Sequence, residues 1–198
     1  MEIRNATPED IDAILRLHRR YQVDTIADED RSDGFVTTDF TPELLRELIE
    51  SDEGFFVAAR EDGEIAGYVM AASWKFCSRW PIFARMIEDL PSLSYREIPL
   101  STENSYQYGP VCIDKPYRGS GLLEDIFEFA REAMEPRYPV LVTFVNKANP
   151  RSYAAHSRKL GLDTITEFAF NGNEYYEMAC LTGEDLEKRL ESQTLGSN

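Results

Sequence analysis

Residues 140–145, Val-Leu-Val-Thr-Phe-Val, form an almost wholly apolar run. A run that short and that apolar reads as a strand covered on both faces. The rest of the chain must then supply helices for two sides of one sheet, and its patterning does so. Just upstream, Leu122, Leu123, Ile126, Phe127, Ala130, Ala133 and Met134 fall on one face of a helix that Pro136 ends. Just downstream, Asn149-Pro150 opens another helix and Gly161 closes it.

The remaining elements follow from local signals. Residues 1–5 read as a strand. Thr7-Pro8-Glu9-Asp10 and Thr41-Pro42-Glu43 are N-caps with proline in the first turn, so helices are expected to about Tyr21 and through Ile49. Residues 24–39 are acidic and irregular. Residues 55–60 and 64–73 are strands joined by Glu61-Asp62-Gly63, and 164–170 and 174–181 are strands joined by Asn171-Gly172; both links are hairpin signals. Residues 106–113 form a further strand. A weak helix is expected over 182–190 and a frayed end over 192–198. Residues 74–105, with Trp74, Phe76, Trp80, Phe83 and Tyr95 and a short helix over 82–90, read as an insertion between strands. The order is β-α-α-β-β-insert-β-α-β-α-β-β. It predicts an α/β fold, one mixed sheet with helices on both faces, as a single domain over 1–181 followed by a helix and tail over 182–198.

Charge narrows the partners. The chain of 198 residues carries −15. That balance argues against nucleic acid and anionic membranes, where lysine and arginine must replace counterions. Residues 115–159 hold eight lysines and arginines against five acids, so this stretch is +3 and the remainder −18. An anionic ligand in the basic stretch and a cationic one elsewhere are the expectation. The alternative is that the acidity serves solubility alone. Three cysteines, Cys77, Cys112 and Cys180, give neither a disulfide framework nor a metal spacing. With no apolar run of membrane length and no secretory leader pattern, the expected location is the cytoplasm.

The sharpest motif is Tyr117-Arg118-Gly119-Ser120-Gly121-Leu122, between a strand and an amphipathic helix. The first amides of a helix have no internal partner, and the helix dipole favours an anion beside them. Glycine permits close backbone approach, and arginine adds a forked donor. No Gly-Lys-Ser/Thr follows and the third glycine of a dinucleotide fingerprint is missing. An ordinary tight strand-to-helix turn is the competing reading.

With these residues the chain resembles the GCN5-related N-acetyltransferases. The family carries Arg/Gln-x-x-Gly-x-Gly/Ala after a central strand, and Arg118 and Gly121 fill its first and fourth positions; Leu123 stands where the family has glycine or alanine. A second family signature resembles Asn149-Pro150-Arg151-Ser152-Tyr153-Ala154-Ala155-His156 followed by Leu160-Gly161-Leu162. There Leu162 replaces the usual phenylalanine and the helix is one residue longer. The resemblance spans roughly residues 3–181.

It implies acetyl-CoA as co-substrate and no metal. Arg118, Gly119, Ser120, Gly121, Leu122 and Leu123 would hold the diphosphate. The strand Val111-Cys112-Ile113 would splay from its neighbour and offer backbone groups to the pantetheine arm, and an amide near Cys112 or Ile113 would polarise the thioester carbonyl. Asn149 and Ser152 would lie along the cofactor, though Asn149 also reads as a plain N-cap and Ser152 as a solvated first-turn residue. His156 stands where relatives place a tyrosine that protonates the leaving thiolate, with Tyr153 a second candidate acid. Glu103 is the nearest carboxylate for a general base, with Tyr106 and Tyr108 as relays and water as the alternative. Cys112 reads as a small buried hydrophobe, not as an acyl carrier. The aromatic insert either walls the pocket of an amine acceptor, a cation suited to its rings, or packs as core or at a homodimer interface. The rival reading of the whole chain is a module that binds acyl-CoA without turnover, as a sensor or assembly subunit.

Overall fold

The computed structural model describes residues 1–27, 34–51 and 53–195. Two elements open the chain: β1 (Glu2–Asn5) and α1 (Ile11–Tyr21). They are followed by α2 (Pro42–Glu50), β2 (Gly54–Ala59), β3 (Ile65–Ala72), α3 (Trp74–Cys77) and α4 (Pro81–Asp89). Next come the short strands β4 (Ser94–Tyr95) and β5 (Ile98–Pro99), then β6 (Ser105–Ile113), α5 (Leu122–Met134) and β7 (Val140–Asn146). The chain closes with α6 (Pro150–Ala154), a π-helical turn over Ala155–Lys159, β8 (Asp163–Phe170), β9 (Asn173–Leu181) and α7 (Leu186–Leu195). Seven strands form one mixed sheet in the order β1-β2-β3-β6-β7-β9-β8. The α/β expectation holds, and the apolar run is β7, parallel to β6 and antiparallel to β9.

The chain forms two compact units, Met1–Ala71 with Gly109–Ala133, and Ala72–Tyr108 with Met134–Asn198. In the first, β1, β2 and β3 run antiparallel. Its core includes Ile14, Leu17, Leu45, Leu48, Val57, Tyr68, Ile126 and Phe127, all fully or nearly fully buried. Thr41 caps α2 by accepting from the Leu44 amide at 3.2 Å. In the second, the parallel register of β6 on β7 covers Ser105↔Val140, Tyr106↔Leu141 and Gln107↔Val142. Gly109, with φ of 104°, and the donor-less Pro110 follow at once. A regular ladder cannot run through such a pair.

Most expected boundaries hold within two residues, and the differences are local. The Asn171-Gly172 turn is built, with φ of 47° and 75° and Phe170 paired to Asn173. The last helix starts at Leu186 rather than 182, because Thr182 is held back by its amide to Pro139 O (2.9 Å) and its hydroxyl to Tyr138 O (2.6 Å). It also runs on to Leu195, anchored by Gln193, which donates to Leu162 O at 3.2 Å, and by the buried Arg189, which donates to Leu160 O at 2.9 Å. The tail expectation for 196–198 and the irregular stretch at 28–33 lie outside the described residues. The insert holds more order than its sequence suggested: α3, α4 and the β4–β5 pairing.

The extra residue in the second signature has a structural counterpart. After α6 the backbone widens: the Leu160 amide reaches Ala155 O (3.1 Å), five residues back, and the Leu162 amide reaches His156 O (3.0 Å). A π turn absorbs one additional residue without shifting the elements on either side. Gly161, at φ of 68°, then closes the segment.

Candidate functional site

The strand-to-helix turn belongs to the first unit. Asp114, only 8% exposed, follows β6 and gathers donors. Its carboxylate accepts from Arg20 Nη1 (2.8 Å to each oxygen), from the Tyr21 hydroxyl (2.8 Å) and from the Lys115 amide (3.0 Å). The Tyr21 hydroxyl also accepts from the Lys115 amide at 2.8 Å. Arg118 then folds back, donating from Nε to Ile113 O at 2.9 Å, with its guanidinium 4.5 Å from the centre of the Tyr21 ring. One tyrosine at the end of α1 thus grips both ends of the turn. Burial holds the Tyr21 hydroxyl above the usual phenol range, so it stays a neutral donor.

Gly119 and Gly121 have φ of 81° and 92°, which side-chain-bearing residues adopt only at a cost. A Cβ built on either meets nothing within 4 Å among the described residues. Their need for glycine is conformational, and the space beside them is open. The first helical bond of α5 is Asp125 N to Gly121 O (3.0 Å). The amides ahead of it project from the helix N-terminus. Bare glycine backbone, projecting amides and a tethered arginine suit a diphosphate.

The strand Val111-Cys112-Ile113 also belongs to this unit. Gly67 on β3 faces it closely: a Cβ there would stand 2.7 Å from Ile113 Cδ1 and 3.2 Å from Cys112 O. The Cys112 thiol is hydrogen-bonded to Tyr68 and pushed up to about 12 by burial. Tyr68 in turn meets His18 Nδ1 at 2.6 Å, and His18 Nε2 meets Thr38 O at 2.9 Å. A carbonyl only accepts, so Nε2 carries the proton and Nδ1 receives the Tyr68 hydroxyl. A thiol so buried and so used is not a nucleophile.

The second unit holds the other candidates. Asn149 caps α6, its Oδ1 accepting from the Ser152 amide at 3.1 Å. His156, 5% exposed, lies in the π turn and packs edge-on to the Tyr108 ring at 6.0 Å. Its Nδ1 stands 2.8 Å from Ser152 O and 3.4 Å from Ser152 Oγ. The carbonyl again puts the proton on Nδ1 and leaves a lone pair on Nε2. Burial lowers its pKa, so the resting ring is neutral. Tyr153 points elsewhere: its ring lies 4.3 Å from that of Tyr176 and its hydroxyl 3.2 Å from Thr164 Oγ1. Glu103 is exposed, before the N-terminal end of β6. It accepts from Thr102 at 2.9 Å, and this bond holds its carboxyl below the usual range. The structure thus joins Ser152 with His156, and Tyr108 with His156, but not Tyr153 or Glu103 with them.

The insert packs on the opposite face of the same strands. Trp74 is buried and donates to Ser105 Oγ at 2.9 Å. Phe83 of α4 packs edge-on against Phe144 of β7 at 5.6 Å, and Trp80 against Phe83 at 5.7 Å. Beneath lies a residue that the sequence reading passed over. Glu177 of β9, 1% exposed, sits cross-strand from Phe144. Its Oε1 has no hydrogen-bond partner among the described residues, and burial pushes its carboxyl up to about 7, helped by Asp89 of α4. The available signal was an acid set against the apolar half of a strand, Glu177-Met178-Ala179-Cys180.

Comparison with known proteins decides the family. The family model "Acetyltransferase (GNAT) family" matches residues 14–162. The chain belongs to the GNAT acetyltransferases. Membership carries acyl-CoA-dependent acetyl transfer, with acetyl-CoA as the family's co-substrate. Solved structures share the fold. An acetyltransferase of the GNAT family from Streptococcus pneumoniae superposes with a TM-score of 0.62 at 18% identity, over 92% of this chain and 99% of that one. The yncA protein of Salmonella typhimurium, solved with its cofactor acetyl-CoA, gives 0.62 at 17%, over 93% and 95%. A phosphinothricin acetyltransferase from Sinorhizobium meliloti, in complex with acetyl-CoA, gives 0.61 at 17%, over 93% and 89%. None of the curated proteins compared matches the chain. Among the described residues no helix is long and apolar enough to cross a membrane, and no group of three or more His, Cys, Asp or Glu side chains is placed to hold a metal.

Proposed function

We propose that this GNAT protein transfers an acetyl group from acetyl-CoA to a primary amine by direct attack, without an acyl-enzyme. The observation that carries the reading is the turn ahead of α5: two glycines at positive φ, open space beside both, and Arg118 tethered to Ile113 O. Backbone amides of Gly119 to Leu123 would take the diphosphate, where helix dipole and bare backbone favour anionic oxygen. Val111, Cys112 and Ile113 would line the pantetheine arm, and a strand amide there would stabilise the oxyanion. Asn149 and Ser152 would support that arm.

His156 is the proton-transfer candidate. With Nδ1 bound to Ser152 O and the ring neutral at rest, Nε2 takes a proton before it can give one. Protonation of the leaving thiolate by His156 then requires an imidazolium formed within the cycle, and activity through it would fall as pH rises through its lowered pKa. The acceptor is a small molecule, a polyamine or a protein amine; the −18 balance outside residues 115–159 favours a cation.

One observation favours the non-catalytic alternative: Leu123 puts a bulky side chain in the first turn of α5, where relatives carry glycine or alanine. Thiol release from acetyl-CoA in the presence of an amine panel separates the two. Release with one amine and none without it supports the transferase. Acetyl-CoA binding with no release from any amine supports the sensor.

A further inference from the structure

The acetyltransferase reading leaves the acceptor's place open, and the second unit contains a feature that reading does not use. On one face of β6, β7 and β9, alternate residues are brought into line by register: Ser105 and Gln107, Val142 and Phe144, and Glu177 and Ala179. Thr166 of β8 lies cross-strand from Glu177. The opposite face carries Tyr106, Tyr108, Thr143 and Tyr176, where α6 and His156 pack. The two faces therefore have separate equipment.

Two buried oxygens on the first face lack a donor among the described residues. Among the described residues Glu177 Oε1 has no hydrogen-bond partner, nor has Gln107 Oε1, and both residues are 1% exposed. The Gln107 amide is oriented by its nitrogen, which donates to Tyr108 O at 2.7 Å, so its oxygen is an acceptor. Buried acceptors without donors are costly, and a carboxylate most of all. Gln107 is in register with Val142 and Ala179, and Glu177 with Phe144, so the two stand two strand spacings across the sheet and two residues along it, roughly 12 Å between backbones, a gap that two long side chains narrow from either side. Around them stand rings: Phe144 is cross-strand from Glu177, Phe83 packs on Phe144, and Phe168 meets Phe144 at 6.2 Å. An acid and a carbonyl oxygen inside an aromatic wall are the complement of an organic ammonium.

We propose that this face, beneath α4, binds the ammonium group of the acceptor amine, with Glu177 as its counter-charge and Gln107 Oε1 as a second acceptor. The proposal rests on the acetyltransferase reading and gives it a substrate class: a primary ammonium on an apolar stem. Asp89 of α4, the other charge acting on Glu177, is also an acid and adds to the preference for a cation. Entry requires Phe83 to lift from Phe144, and Trp80, packed edge-on to Phe83, reports that movement.

The test uses the full chain at pH 8 with coenzyme A present, titrating 2-phenylethylamine and, separately, uncharged 2-phenylethanol, followed by tryptophan emission. Acetyl-CoA affinity is measured on the same samples. The wild type is expected to change emission and to prefer the amine by at least tenfold. Glu177→Gln should abolish that preference while leaving acetyl-CoA affinity within twofold. Gln107→Leu should weaken the amine severalfold, which keeps the test decisive if the first variant folds poorly. Equal binding of amine and alcohol, an amine preference that survives Glu177→Gln, or no amine binding by a protein that binds acetyl-CoA would each overturn the proposal. The last result, with buried water the only occupant, would leave the acetyltransferase reading standing. Failure to bind acetyl-CoA would instead count against that reading.

Discussion

The cofactor turn and the face beneath α4 are built on opposite principles. In the turn, Asp114 meets Arg20, Tyr21 and the Lys115 amide, and the positive charge of Arg118 rests on the Tyr21 ring. At Gly119 and Gly121 the turn presents bare backbone to open space. Beneath α4, Glu177 and Gln107 keep buried acceptor atoms without donors among the described residues. A site for a shared co-substrate can be assembled from main chain and fixed once. A site for a particular acceptor must come from side chains, and it carries an energetic cost until the ligand arrives.

The contrast predicts different responses to mutation. Asp114→Ala should be the most damaging change, because it strands Arg20, Tyr21 and the Lys115 amide together. A loss of about 3 kcal/mol is expected, read by urea denaturation, with acetyl-CoA affinity down more than tenfold. If stability and affinity hold, the clamp is not what shapes the turn.

Glu177→Gln should act in the opposite direction. The folded carboxyl is raised from 4.5 to about 7, so the fold favours its protonated form. That advantage is fully present below about pH 4.5 and is lost as pH rises through about 7. The wild type should therefore lose stability over that window, by up to about 3 kcal/mol, while the variant shows a flatter profile and is the more stable at pH 8. Melting temperatures at pH 5, 6, 7 and 8 decide it; parallel profiles would show that Glu177 finds compensation in the fold.

Smaller effects sharpen the comparison further. Gly121→Ala, placing a side chain at φ of 92°, should cost about 1–2 kcal/mol and weaken acetyl-CoA severalfold without altering amine binding. Tyr21→Phe keeps the ring under Arg118 and removes the hydroxyl, for a loss of about 1 kcal/mol. It should raise KM for acetyl-CoA but not for S-acetyl-N-acetylcysteamine, which lacks the diphosphate. Equal effects on both donors would assign Tyr21 to general stability alone.

The same division explains what could be read from sequence. The turn was legible because its causes are local: Arg118, Gly119 and Gly121 stand within four residues, between a strand and a helix whose apolar spacing is plain. The Asn171-Gly172 hairpin was legible for the same reason. Glu177 was not. In a strand of alternating character an acid reads as a solvent-facing residue, and its burial comes from α4, which lies some ninety residues earlier in the chain. Nor could sequence show that Glu103, the nearest carboxylate before β6, would stay exposed, or that Tyr153 would turn toward Thr164. The tautomer of His156 depends on the carbonyl of Ser152, a contact made only once the helix exists. Elements and backbone turns follow from short-range chemistry, whereas the partners of a long side chain depend on what packs above it.

The central claim is that the turn before α5 binds the diphosphate of acetyl-CoA. Calorimetric titration of the full chain with acetyl-CoA, repeated on Arg118→Glu, tests it directly. The account predicts one site per chain in the wild type and a loss of at least a hundredfold in the variant, which should retain its circular dichroism spectrum. Equal affinity in the two proteins, or no binding by the wild type, would contradict it.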